Sequence, residues 1–237
     1  MQMIFLIIQW GCFSMDRLHR IRLLLGDDAI RKLQSSTVMV VGCGAVGSFA
    51  TEALARSGIG NLILVDFDKF DVTNINRQLF AMQSTIGMQK VDAARARILD
   101  ISPDINVQTF NMFWDNDSAI DVMPDFVIDA IDSVQSKIAL YRWCVAHSVP
   151  FIASMGAARK TNMDLIRIAP ISKTTVCPLA ARVRKLVRAE NLPDFPVAFS
   201  MESPAKNDTN ELGSIITITG DFGLKISNFV IQNLSHK

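Results

Sequence analysis

Apolar residues recur along the chain in two rhythms. Short runs rich in aliphatic residues, Thr37 to Gly42, Asn61 to Asp66 and Asp125 to Ile131, end in Gly, Asp or the turn that follows. That is the pattern of strands buried on both faces of a parallel sheet. Between them lie segments with helical spacing. Ser48 to Ser57 is closed by Gly58 in the place a C′ glycine takes. Ser84 or Thr85 caps a second segment running to about Leu99, with Val91, Ala94, Ile98 and Leu99 on one face; Ser133 caps a third running to about His147. Ile105 to Phe110 alternates apolar and polar positions, and Val149 to Ser154, ending at Gly156, completes five strands. Strands alternating with helices in this way predict an α/β fold: a doubly wound, mostly parallel, Rossmann-like sheet with helices on both faces.

Outside this core the rhythm changes. Met15 to Gln34 reads as a helical lead-in broken at Gly26. Past Gly156, Leu165 to Ala169 fits a further strand and Lys173 to Ala189 contains a basic helix. Asn191 to Pro196 and Ser203 to Leu212 are loop-like, and Gly213 to Leu234 is β-branched at first and then helical in spacing. The expected division is an apolar extension over 1–14, a Rossmann-like core over 15–156, and a smaller C-terminal extension of the same domain over 157–237. Met1 to Phe13 lacks the basic start and small-residue cleavage site of a signal peptide and is too short to span a bilayer. It reads as an extra surface element or as the product of an upstream start codon; the second reading, with Met15 as the first residue, is preferred.

Composition narrows the classes. Hydrophobic residues at 49% and charged residues at 20% describe a globular chain. A net charge of +1 gives no global pull toward nucleic acid or membrane, so any such partner must be met by a local patch. Cys12, Cys43, Cys144 and Cys177 form no Cys-x-x-Cys pair. They read as reduced thiols of a cytoplasmic protein rather than a disulfide framework or zinc site. Cys43 reads as a small apolar filler. No membrane partner is indicated.

Candidate chemistry gathers where the first strand ends. Gly42, Gly44 and Gly47 form Gly-x-Gly-x-x-Gly between a strand and a helix. The first glycine suits a tight turn, the second a phosphate close to the backbone, and the third close packing of helix on strand. The helix N-terminus then faces an anion. Asp66, ending the second strand, stands where a carboxylate receives a ribose diol, a role that fits NAD or ATP. Arg77 and Lys90 favour ATP, because a triphosphate under attack needs added positive charge. Asp132, ending the fourth strand, suits Mg²⁺, which takes one or two carboxylates with phosphate oxygens.

This set resembles the ATP-dependent adenylating enzymes of the ubiquitin-activating, ThiF and MoeB superfamily. The matching features are the glycine loop, Asp66, the Asn74-x-x-Arg77-Gln78 segment, Lys90 and Asp132. Arg17-Leu-His-Arg20 resembles that superfamily's Arg-Tyr-x-Arg lead-in, with Leu18 in place of the aromatic residue. Within the superfamily, Ile128-Asp129-Ala130-Ile131-Asp132-Ser133, Cys177-Pro178-Leu179-Ala180-Ala181-Arg182-Val183-Arg184 and Phe199-Ser200-Met201-Glu202-Ser203-Pro204 resemble the tRNA threonylcarbamoyladenosine dehydratase family.

The resemblance implies a reaction. ATP activates the carboxylate of a threonylcarbamoyl group on a tRNA adenosine, and the group then closes into a ring with net loss of water. It implies ATP contacts from Asp68, Asn74 and Gln78 beside those above, and a homodimer in which Arg20 reaches a neighbouring subunit's ATP. Arg77, Lys90 and Asp132 are the implied catalytic set. Arg182, Arg184, Lys185 and Arg188 would meet tRNA phosphates, with Arg159 and Lys160 extending that surface. A sulfur-relay protein partner is left open. The alternative within the superfamily is adenylation of a small sulfur-carrier protein's C-terminus; outside it stands an NAD-dependent oxidoreductase.

Overall fold

The structure is a computed structural model that describes residues 16–205 and 211–236. The Met1 to Phe13 segment, with the expectation about its origin, lies outside them. Seven strands form one sheet: β1 (Thr37–Val41), β2 (Asn61–Val65), β3 (Asn106–Phe110), β4 (Phe126–Asp129), β5 (Phe151–Ser154), β6 (Ile166–Pro170) and β7 (Pro196–Ser200). Their order is β3-β2-β1-β4-β5-β7-β6, parallel throughout except for β6 against β7. The helices are α1 (His19–Leu25), α2 (Asp27–Ser35), α3 (Gly47–Ser57), α4 (Lys90–Ile101), α5 (Val134–Ala146), α6 (Pro178–Ala189) and α7 (Ile216–Ser235).

Alternation along the central strands builds two cores. Val38, Val40, Leu62, Leu64 and Ile128 point to one face, where Leu54 of α3, Ile98 of α4 and Phe222 of α7 cover them. Met39, Val41, Ile63 and Val127 point to the other, under Leu140 of α5 and Val183 of α6. A strand buried on both sides must be apolar at every position, which is why the runs in the sequence are unbroken. The doubly wound α/β sheet with helices on both faces is therefore present as expected.

Boundaries and one strand differ from the pattern. The helix expected from Ser84 or Thr85 begins at Lys90. Thr85 instead closes a short 3-10 turn, its Oγ1 accepting the Met82 N–H at 2.8 Å. Gly87, at φ +84°, then turns the chain away before α4 starts. β7 was not signalled, because Pro196 reads as loop punctuation; proline is tolerated as the first residue of a strand. The β-branched residues after Gly213 start α7, since burial of Ile218 and Thr219 outweighs their weak helix propensity.

Between β1 and α3 the glycines do different work. Gly42 holds φ +96°, and a Cβ there would stand 2.6 Å from the Ala130 carbonyl oxygen. A Cβ on Gly47 would stand 1.7 Å from the Gly42 carbonyl oxygen. Neither contact involves a flexible side chain that can yield. Gly47→Ala is expected to lower stability by about 3 kcal/mol or more, because α3 must lift off the strand end. Urea titration of the variant checks this; a loss below about 1 kcal/mol contradicts it.

Candidate functional site

The strand order reverses direction between β1 and β4, and a crevice opens outside their carboxyl ends. A cleft of about 700 Å³ lies there. Gly42 and Gly44 form its floor, with Asp66, Lys90, Arg77 and Asp132 among its walls. Residues far apart in sequence therefore share one space at the carboxyl end of the sheet.

Asp66 ends β2 and is nearly buried. Its Oδ2 accepts the Cys43 N–H at 2.6 Å and its Oδ1 the Asp68 N–H at 2.8 Å, tying the glycine bend to the neighbouring strand. Burial raises its pKa, against the opposing pull of Lys90 and these amides. Each oxygen retains a lone pair for a further donor. Cys43 is fully buried and burial pushes its thiol up, as suits an inert filler.

Lys90 opens α4, where a cation opposes the helix dipole. Its Nζ donates to Asp68 Oδ2 at 2.9 Å, with the lysine side chain 8% exposed and the aspartate 48% exposed. Asp68 thus holds the ammonium in the cleft. Arg77 donates to the Thr73 carbonyl at 2.7 Å and to Asn76 Oδ1 at 3.0 Å. Thr219 of α7 donates to the Arg77 carbonyl at 3.1 Å, and Ser48 Oγ of α3 accepts the Leu79 N–H at 3.0 Å. Two helices so anchor the segment that carries Arg77 and Gln78.

Gln78 is buried against Gly44, and its Oε1 has no hydrogen-bond partner. An unpaired buried acceptor aimed at a glycine bend is costly unless something fills the cleft. Asp132 is exposed and makes no hydrogen bond or ion pair among the described residues. No cluster of three His, Cys, Asp or Glu residues exists among the described residues. One free carboxylate beside the glycine bend nevertheless has the chemistry of a Mg²⁺ ligand, for an ion that keeps waters and phosphate oxygens as its other ligands.

Other expected site residues fall elsewhere. Gly47 lies behind the bend as a packing residue. Asn74 is spent on a capping box: its Oδ1 accepts the Asp71 N–H at 3.3 Å while Asp71 accepts the Thr73 N–H at 2.9 Å. Arg20 is exposed on α1, outside its own cleft. Arg159, Lys160 and Arg182 line the far end of the cleft. Arg184 turns inward and donates to the Thr174 carbonyl at 2.9 Å and to its hydroxyl. It does not share the outward face that Arg182, Lys185 and Arg188 occupy on α6. Lys160 is 3% exposed, so it does not extend that surface either.

An aromatic wall was not anticipated. Phe67 and Phe113, each about half exposed, meet edge to face at 5.1 Å on the cleft rim, and Trp114 lines it beneath. Its only signal in sequence is the apolar Met112-Phe113-Trp114 triplet directly after the third strand's end. Within the described residues no helix is long and apolar enough to cross a membrane.

The sequence profile of the ThiF family matches residues 16–236. The chain is 47% identical over 189 residues to a Bacillus subtilis protein named tRNA threonylcarbamoyladenosine dehydratase, covering 78% of this chain and 74% of that one. It is 36% identical over 234 residues to the Haemophilus influenzae protein of the same name, covering 89% and 90% respectively. The crystal structure of E. coli tRNA N6-threonylcarbamoyladenosine dehydratase in complex with ATP matches with a TM-score of 0.88 at 31% identity, over 93% of this chain and 94% of that one.

Proposed function

Because the chain belongs to the ThiF family, we propose that it uses ATP to dehydrate the threonylcarbamoyl side chain of a modified tRNA adenosine to its cyclic form. The observation that carries this is the convergence of Asp66, Arg77, Lys90 and Asp132 around one glycine-floored cleft. The relatives named above supply the substrate class.

A carboxylate is a poor electrophile because its oxygen leaves badly. Its attack on the α-phosphorus of ATP displaces pyrophosphate and forms a mixed anhydride; the carbamoyl group then closes on the activated carbon, giving up a proton as AMP departs with the former carboxylate oxygen. The glycine bend and the α3 N-terminus hold phosphate, Asp66 receives ribose, and Gln78 offers its unpaired Oε1 to the bound nucleotide. Arg77 and Lys90 face the charge that grows on phosphate oxygens during attack. Asp132 would hold Mg²⁺, which shields that charge when bound.

We assign Arg182, Lys185 and Arg188 to tRNA phosphates, since they form an outward ridge leading from the cleft. Replacing all three by alanine is expected to weaken tRNA binding whatever its modification. The slope of log K against log salt should fall by about 1 per lost contact, read from binding at several salt concentrations. An unchanged slope removes the ridge from the interface.

A homodimer is the assembly that gives Arg20 a purpose. It stands with Leu23 and Leu24, 70% and 80% exposed, on α1. Ile215 and Ile216 are also exposed, whereas Ile218 is buried within the subunit. The decisive experiment incubates the protein with ATP, Mg²⁺ and tRNA carrying threonylcarbamoyladenosine. Pyrophosphate release and loss of one water from the nucleoside are expected. Adenylation of a carrier-protein tail without change in tRNA would support the superfamily alternative.

A further inference from the structure

The far end of the cleft, beyond Asp132, is walled by the loop from Gly156 to Lys160 and by the start of α6. Nucleotide binding at the glycine bend occupies the other end. Whatever attacks the nucleotide must arrive here.

Lys160 is the charged group buried in that wall. It is 3% exposed and lines the cleft wall, so it is not part of an outer phosphate-binding surface. Its Nζ donates to the Glu202 backbone carbonyl. No ion pair forms: the Glu202 carboxylate is taken by the Thr161 N–H at 3.0 Å, the Thr161 hydroxyl at 3.1 Å and the Asn162 N–H at 3.0 Å. Among the described residues, Lys160 has no carboxylate partner. A buried ammonium with one neutral acceptor is poorly compensated. Burial lowers its pKa, against the opposing pull of Cys177 and Glu202.

The backbone directly before Lys160 is held in an uncommon conformation. Arg159 holds φ 59°, in the left-handed region rare for a non-glycine residue. Its N–H bonds the Gly213 carbonyl at 2.8 Å, and its own carbonyl accepts the Ala205 N–H at 2.9 Å. Strained backbone pinned from two sides is commonly stored where a group must be aimed.

Resting on the ATP-dependent dehydration proposed above, we infer that Lys160 receives the carboxylate of the substrate side chain, as the positive end of a carboxylate subsite opposite the nucleotide. The pairing meets the charge that Lys160 lacks and points a carboxylate oxygen toward the phosphate. Lys160 therefore selects nucleosides bearing a side-chain carboxylate; it is not a general tRNA contact.

The test measures binding of two tRNAs, with and without the threonylcarbamoyl group, in the presence of an ATP analogue with a methylene between its α and β phosphates. The wild-type protein should prefer the modified tRNA by about tenfold or more. The methyl ester of the side chain should bind like unmodified tRNA, a measurement that needs no variant. Lys160→Gln should abolish the preference while keeping analogue affinity, and Lys160→Arg should restore most of it. A preference that survives in Lys160→Gln overturns the inference. So does equal weakening of both tRNAs, or a methyl ester bound as well as the acid. Failure of the wild-type protein to remove water from the modified nucleoside would instead overturn the underlying reaction.

Discussion

Asp129→Ala is expected to cost the fold about 3–5 kcal/mol, the usual loss when one partner of a buried ion pair is removed. Asp129 and Lys137 have no exposed side-chain surface, and Lys137 Nζ stands 2.8 Å from Asp129 Oδ2. Lys137 also donates to the Ser154 carbonyl at 2.7 Å, and the Tyr141 hydroxyl donates to Asp129 Oδ2 at 2.5 Å. Burial and the adjacent carboxylate push the Tyr141 phenol well above its ordinary pKa, so it stays a donor. Without Asp129 the ammonium is stranded between β4, β5 and α5. The double variant Asp129→Leu, Lys137→Met should recover most of the loss, because an apolar pair of similar volume avoids the desolvation penalty. Turnover should not return with it. Asp129 Oδ1 accepts the Ile131 N–H at 3.0 Å and so shapes the turn that carries Asp132 into the cleft. Chemical denaturation beside a turnover assay separates the two effects; a single variant as stable as the parent refutes the account.

Lys90→Ala should lower kcat by about 10²–10³ while changing the KM for ATP far less, and Arg77→Ala should behave alike. Both cations line the cleft together with the glycine bend. In the proposed reaction their contribution would grow as charge gathers on phosphate oxygens, and so be larger in the transition state than in the bound ground state. The structural cost is small, because Asp68, the partner left behind, is 48% exposed and regains water. Steady-state pyrophosphate release against ATP concentration reads the split. A raised KM with unchanged kcat would make these residues simple binding groups.

Much of this site was visible before any coordinates. The glycine bend, Asp66 and Asp132 follow from locating strand ends, since a parallel sheet puts every such end on one edge; Arg77, Gln78 and Lys90 lie between β2 and α4 and were reached through the resemblance to the adenylating superfamily. Two of the expected contacts have side chains with a local use that spacing does not reveal. Asn74 caps its own turn, and Arg184 bonds Thr174 beneath α6. Both have the residue type of a ligand contact, and both hold a local partner.

Strand and helix periods, read with glycine and acid at the strand ends, were enough to establish the doubly wound sheet and the glycine-floored end of its cleft. These depend on contacts within a few residues and on the handedness of the crossovers. Tertiary structure alone decided that Lys160 turns inward without a carboxylate, that Asp129, Lys137 and Tyr141 meet in the core, and that Phe67 and Phe113 face each other. Each of these depends on where separate elements come to rest against one another. Side-chain direction and burial are properties of that packing, which no local period encodes.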